Sequence, residues 1–183
     1  VATTASYATS CNYDNHIKDK DTVDLKGCTT LNLSAKGNKN IPTVKLKDAE
    51  GKETNETALE MPIKEALTMV EALRKSSITE IDVSGTKFDW GVFALALAVK
   101  PDADNAPSAL SKSLKKINLS NAYIDDYGVL ALQVAFQENK ATKSLNLSGN
   151  TFEKMGFEAI KKLATYNVNV PDGYTVKEPA AAQ

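Results

Sequence analysis

One histidine, one arginine, one tryptophan and two cysteines occur in 183 residues, and each scarcity excludes something. His16 stands alone near the N-terminus, so a Ser/His/Asp triad has no base to build on. It reads as a solvated loop residue. Basic excess is also missing: 22 Lys and Arg face 23 Asp and Glu, which removes the basic footprint expected for a nucleic-acid partner. No run of 18 apolar residues exists to form a spanning helix. No glycine-rich phosphate loop follows a strand; Gly91, Gly128 and Gly156 stand singly at helix starts. No metal-ligand set or cofactor motif is present. The expectation is therefore no catalytic, cofactor-binding or metal-binding residue, and no enzyme.

What is present begins with composition. Hydrophobic residues make up 42%, too much for a disordered chain, and the length suits one domain or one array of repeats. The chain opens at Val1 rather than Met, read as removal of a signal segment or trimming. The first ten residues and the stretch VKEPAAAQ read as a loose lead-in and a frayed tail.

Cys11 and Cys28 lie 17 residues apart. A bridge between them would contribute roughly 3 kcal/mol by restricting the unfolded chain, and would fit an oxidising compartment. The other reading is two unlinked thiols, with Cys28 a small core residue. Together with His16 the pair is one ligand short of a structural zinc site.

The main signal is internal repetition. One phrase recurs as CTTLNLSAKGN at 28–38, ITEIDVSGTKF at 78–88, LKKINLSNAYI at 114–124 and TKSLNLSGNTF at 142–152. Alternate apolar residues align as Leu31/Leu33, Ile81/Val83, Ile117/Leu119 and Leu145/Leu147, followed by a serine column at 34, 84, 120 and 148. Phe88, Ile124 and Phe152 form a further apolar column, from which Asn38 departs. After Gly91, Gly128 and Gly156 come Ala94/Leu95/Ala98, Ala131/Leu132/Ala135 and Ala159/Ile160/Leu163, which is one face of a helix. Ile63, Ala66, Leu67 and Val70 are expected to be the same face of an earlier helix. Each unit thus reads as a strand, a turn and a helix.

Successive units start 50, 36 and 28 residues apart, at Leu31, Ile81, Ile117 and Leu145. The surplus maps to inserts at 35–58 and 100–113. In the first, TVKLKDAEGKE alternates about Ala49-Glu50-Gly51 and suggests a small hairpin. A last strand is expected at Val168-Asn169-Val170, ending at the turn Asp172-Gly173.

This pattern, at its cleanest in TKSLNLSGNTFEKMGFEAIKKLA, resembles leucine-rich repeats of the ribonuclease-inhibitor type. The resemblance implies an α/β leucine-rich repeat solenoid, with parallel strands on the concave side and helices on the convex side. It implies a lead-in and cap at 1–27, a repeat domain at 28–170 and a tail at 171–183. In the family an asparagine at the position of Asn150 bonds the turn backbone. Thr86 and Ala122 replace it in two copies, so those turns need another partner. Some such proteins activate small GTPases through a loop arginine; Arg74, on a helix, reads as surface instead.

The expected function is a non-enzymatic protein–protein interaction module, secreted, periplasmic or on the cell surface, as in a bacterial effector or envelope protein. Two alternatives stand beside it: a regulator of a small GTPase or other enzyme, and a structural envelope component. The expected partner is another protein, with the chain itself a monomer. Strand residues Asp82, Lys116, Asn118 and Asn146 are candidate contacts, on the face opposite the core pairs. Trp90, Tyr123 and Tyr127, in loops after the strands, are candidate anchors. Asp125-Asp126 reads as a helix cap. Asn-x-Ser/Thr triplets occur at Asn32, Asn55, Asn118 and Asn146. Three belong to the recurring phrase; Asn55 lies in the insert and is the plausible acceptor if the source glycosylates.

Overall fold

The computed structural model describes residues 9–17, 23–47, 50–59, 63–101 and 106–177; within these, nothing is described of the Asp89 and Trp90 side chains. A five-stranded parallel sheet forms the centre. Its strands are β1 (Thr9–Asn12), β2 (Cys28–Asn32), β5 (Glu80–Asp82), β6 (Lys116–Asn118) and β7 (Ser144–Asn146), lying side by side in that order. Leu31, Ile81, Ile117 and Leu145 pair in register across it. Side chains alternate between the two faces of a strand, so these four share one face. All four are buried.

Four helices cover that face in a layer: α2 (Ile63–Lys75), α3 (Asp89–Val99), α5 (Asp126–Phe136) and α6 (Lys154–Thr165). Each packs on the next. Position in the layer explains composition. α3 and α5 have helical neighbours on both sides and are apolar nearly all round, whereas α2 and α6 end the layer and are amphipathic. Leu31, Leu33 and Ile81 meet Met69 and Leu73 of α2 and Leu95 of α3 around a void of about 10 Å³, at the lower limit for one water.

The expectation of a leucine-rich repeat solenoid is corrected here. The molecule is a mixed α/β fold whose sheets, among the described residues, are small: the parallel five-stranded sheet and two separate two-stranded ones. A solenoid needs near-equivalent units laid each on the last. Here the surplus residues fold into elements of their own. β3 (Thr43–Lys47) and β4 (Glu53–Thr57) make an antiparallel hairpin, and α4 (Ala109–Ser113) lies at the end of the second insert. The ends also leave the pattern. The lead-in supplies β1 and a short helix, α1 (Tyr13–His16). The C-terminal segment returns so that β9 (Thr175–Val176) pairs with β8 (Thr151–Phe152). The last strand expected at 168–170 reduces to a single bridge, Asn169 to Ser144.

The helix face expected of α2 is corrected too. Ile63 and Leu67 are 81% and 56% exposed, while Met69 and Leu73 are buried. The packed stripe is Ala66, Met69, Val70 and Leu73.

Turn chemistry follows the columns. In each phrase the residue before the second core position bonds the serine two residues on. Asn32, Asp82, Asn118 and Asn146 each accept the serine backbone N–H through Oδ1, at 2.9, 2.9, 3.2 and 3.0 Å. The next position turns left-handed in three copies: Gly85 at φ 69°, Asn121 at 51° and Gly149 at 73°. Glycine and asparagine are the residues that tolerate this backbone most readily. Cys11 and Cys28 are bridged, and both are buried.

Candidate functional site

The uncovered face of the sheet carries the strand residues singled out above. Asp82, Lys116, Asn118 and Asn146 line one open groove of about 460 Å³, with Glu80 and Ser144 among its other walls. Parallel strands lie about 4.8 Å apart, which places equivalent side chains shoulder to shoulder. Lys116 Nζ reaches Glu80 Oε1 on the neighbouring strand at 2.9 Å. Both side chains are well exposed, so solvent screens the pair and it adds little stability. Because Oδ1 of Asp82, Asn118 and Asn146 is committed to the turns, the groove offers fixed amide and carboxylate groups beside one ion pair. That suits hydrogen bonding to a polar chain.

The aromatic candidates go elsewhere. Tyr123 sits at the loop edge with φ 58° and is 48% exposed. The hairpin comes close to it, with Glu56 of β4 beside the phenol. Burial, first, and then the bond to Glu56 and the charge of that carboxylate raise the phenol above its ordinary 10.0. Glu56, Asn121, Tyr123 and Gly149 share a second hollow of about 460 Å³. Tyr127 is 65% exposed and lines a third, larger groove of about 840 Å³ between α5 and α6, with Leu130 and Met155. Trp90 falls outside the described side chains, so no contact is assigned to it. The candidates therefore divide among three places instead of converging on one.

The remaining polar residues have structural duties. Asp125 caps α5, its Oδ1 accepting from Gly128 N at 2.8 Å. Asp126 serves the next helix, accepting from Glu153 N and Gly156 N of α6. Arg74 donates to the Leu97 and Lys100 carbonyls at 2.9 and 2.8 Å, satisfying the end of α3. Its guanidinium is held against a helix end, not presented from a loop. His16, Cys11 and Cys28 bring ligand atoms within 4.8 Å of one another, but both sulfurs are consumed by the bridge.

Sequence reasoning missed Glu56 and the approach of the hairpin. The signal was the insert itself, since nothing in its alternation shows which loop it covers. It also missed Asn38, which does for the first turn what Asn150 does for the last. Asn38 Nδ2 donates to the Asn32 and Ser34 carbonyls at 3.0 Å, and its Oδ1 accepts from Tyr13 N at 2.9 Å.

Among the described residues, no helix is long and apolar enough to cross a membrane. No family model matches the chain, and no curated protein matches it. Among solved structures, a similar chain is Leiomodin-1 Actin-Binding Site 2 (ABS2), at 19% identity and a TM-score of 0.49. The similarity covers 64% of this chain, which spans 65% of that structure's length.

Proposed function

We propose that this chain is a non-enzymatic protein–protein interaction module working outside the cytoplasm, as a secreted, periplasmic or surface-associated protein. One observation carries the reading: Asp82, Lys116, Asn118 and Asn146 stand together on the uncovered sheet face, with the side chains of Asp82, Asn118 and Asn146 fixed by their turns. Preformed polar groups lose little entropy on binding, which favours recognition of another chain. The recurring phrase supports kinship with leucine-rich repeats of the ribonuclease-inhibitor type. The Cys11–Cys28 bridge supports the oxidising setting. The commitment of Arg74 to helix carbonyls speaks against the GTPase-regulator alternative.

The test is cross-linking of the purified chain to secreted and surface proteins, followed by affinity measurement on whatever is captured. Lys116→Glu adds a third acid beside Glu80 and Asp82, and a contact there predicts at least about tenfold weaker binding, about 1.4 kcal/mol. A partner whose affinity is untouched by Lys116→Glu and by Tyr123→Ala would remove both surfaces. Thiol titration of denatured protein prepared without reductant checks the setting: two free thiols would withdraw it.

A further inference from the structure

We infer that Asn55 is an N-glycosylation acceptor, selected from four sequence triplets by the use the fold makes of each asparagine. The inference does not rest on the binding function proposed above. It rests on a difference in geometry among chemically equivalent side chains.

Three of the four triplets are consumed by the turns. Asn32, Asn118 and Asn146 lie on β2, β6 and β7, all half-buried. Each Oδ1 accepts the hydroxyl of the serine two residues on, at 2.7, 2.9 and 2.8 Å. That hydroxyl is the part of the triplet a transferase must recognise, and here it is bound to the acceptor's own side chain. The backbone N–H of the same serine is held as well. The three asparagines also stand in one row with Asp82, paired strand to strand. Neighbours about 4.8 Å away on the sheet leave a branched sugar little lateral room.

Asn55 differs in its exposure and in having one cross-strand neighbour on a two-stranded sheet. It lies in the middle of β4, opposite Lys45 of β3, and both residues are exposed. Side chains alternate along a strand, so the two neighbours of Asn55 face the other way. One of them, Glu56, faces the body of the protein, where it lines a hollow with Asn121 and Tyr123. Asn55 therefore points outward. Thr57 completes the triplet. The Cys11–Cys28 bridge fits the oxidising compartments in which such transfer occurs.

The reaction is a substitution. Asn55 Nδ2 forms a bond to C1 of the first sugar of a lipid-pyrophosphate-linked oligosaccharide. The bond from C1 to the pyrophosphate oxygen breaks, lipid pyrophosphate leaves with the electron pair, and one amide proton goes to solvent. The product glycan would stand on the outer side of the hairpin. It would leave open both the sheet-face groove and the hollow under Glu56.

The experiment routes the full chain through the secretory pathway of a eukaryotic cell. Secreted protein is treated with peptide N-glycosidase, and the asparagine-to-aspartate conversions are mapped by mass spectrometry. The expected result is conversion at Asn55 alone. Asn55→Gln should abolish the glycan mass shift, while Thr57→Ser should keep it. Thr57→Ala repeats the loss through a different side chain if Asn55→Gln is not secreted. An unoccupied Asn55 in secreted wild-type protein overturns the inference. So does a glycan on Asn32, Asn118 or Asn146 in the bridged, folded fraction. Neither outcome bears on the Lys116→Glu binding test, so the two readings fail separately.

Discussion

The Asp126 carboxylate, in the first turn of α5, accepts from Glu153 N at 2.8 Å and Gly156 N at 2.9 Å at the start of α6. Glu153, the N-cap residue of α6, makes no side-chain cap of its own. One helix thus supplies the cap of the next. The closeness has a condition: a Cβ built on Gly156 would lie 2.5 Å from Asp126 Oδ1. The glycine is needed for the approach of the carboxylate, beyond marking a helix start.

Asp126→Ala should therefore cost about 1–2 kcal/mol, as lost helix caps do, measured by urea unfolding. Gly156→Ala should cost a similar amount by pushing the carboxylate off the helix end. The double variant should cost less than the two together, because the methyl no longer meets the carboxylate. Additive losses would mean the two residues act independently.

Leu67 and Leu73 separate the two possible faces of α2. Leu67 is 56% exposed and Leu73 is 4% exposed. Leu67→Glu should change stability by no more than about 0.5 kcal/mol. Leu73→Ala should cost about 2–5 kcal/mol through lost contacts and the cavity left behind. Equal costs in thermal unfolding would restore the stripe that begins at Ile63.

That stripe shows where sequence reading stops. Ile63, Ala66, Leu67, Val70 and Ala66, Met69, Val70, Leu73 are both helical stripes, and they share two residues. Periodicity cannot choose between them. The choice depends on where the helix meets the sheet, and in this unit the long insert breaks the fixed offset from strand to helix. The strands were legible because the core column is local: Leu31, Ile81, Ile117 and Leu145 keep one spacing to their serines and pair in that register. The overall architecture was not. A short phrase fixes a strand and its turn, but β1, the hairpin and β9 come from segments with no copy elsewhere in the chain. Site residues fared likewise. The sheet face follows from alternation, whereas Glu56 over Tyr123 is a contact between an insert and a loop, with no periodicity to announce it.

Tyr123 provides a pH-dependent prediction. Its folded value is raised above the ordinary 10.0, by burial first and then by Glu56. The unfolded phenol ionises at its ordinary value, so the neutral form favours the folded state. The contribution is full below about pH 10 and is lost as pH climbs through the folded value. In a near-ultraviolet absorbance titration Tyr123→Phe should remove a late-ionising phenol, and Glu56→Gln should bring that phenol back toward its ordinary range. A titration unchanged by both substitutions would dissolve the pairing.

Asn150 is the residue whose loss the fold should feel most. It is 3% exposed and uses both ends of its amide. Nδ2 donates to the Leu119 and Leu147 carbonyls at 2.8 Å. Oδ1 accepts from Ala122 N at 3.2 Å and Ile124 N at 3.0 Å. Through Ala122 it supplies the turn in which alanine stands at the equivalent of its own position; Thr86 serves another turn with one hydroxyl bond, to the Leu33 carbonyl at 2.9 Å. Asn150→Ala leaves the Ala122 and Ile124 N–H groups and the Leu119 carbonyl without this side chain, at about 1–3 kcal/mol each when water cannot reach them, while the Leu147 carbonyl keeps the backbone N–H of residue 150. Partial relaxation should leave a total of about 3–5 kcal/mol. Asn150→Asp keeps the acceptor but aims a buried carboxylate at two carbonyl oxygens, which raises the carboxyl in the folded state. Its protonated form restores one donor. The aspartate variant should therefore be relatively most stable at acidic pH and lose stability as pH rises through the raised value, while the alanine variant shows no such slope relative to wild type. Urea unfolding of the three proteins at pH 4 and pH 7 reads the difference directly. A pH-independent gap between aspartate and wild type would mean that the amide does not bridge these two turns.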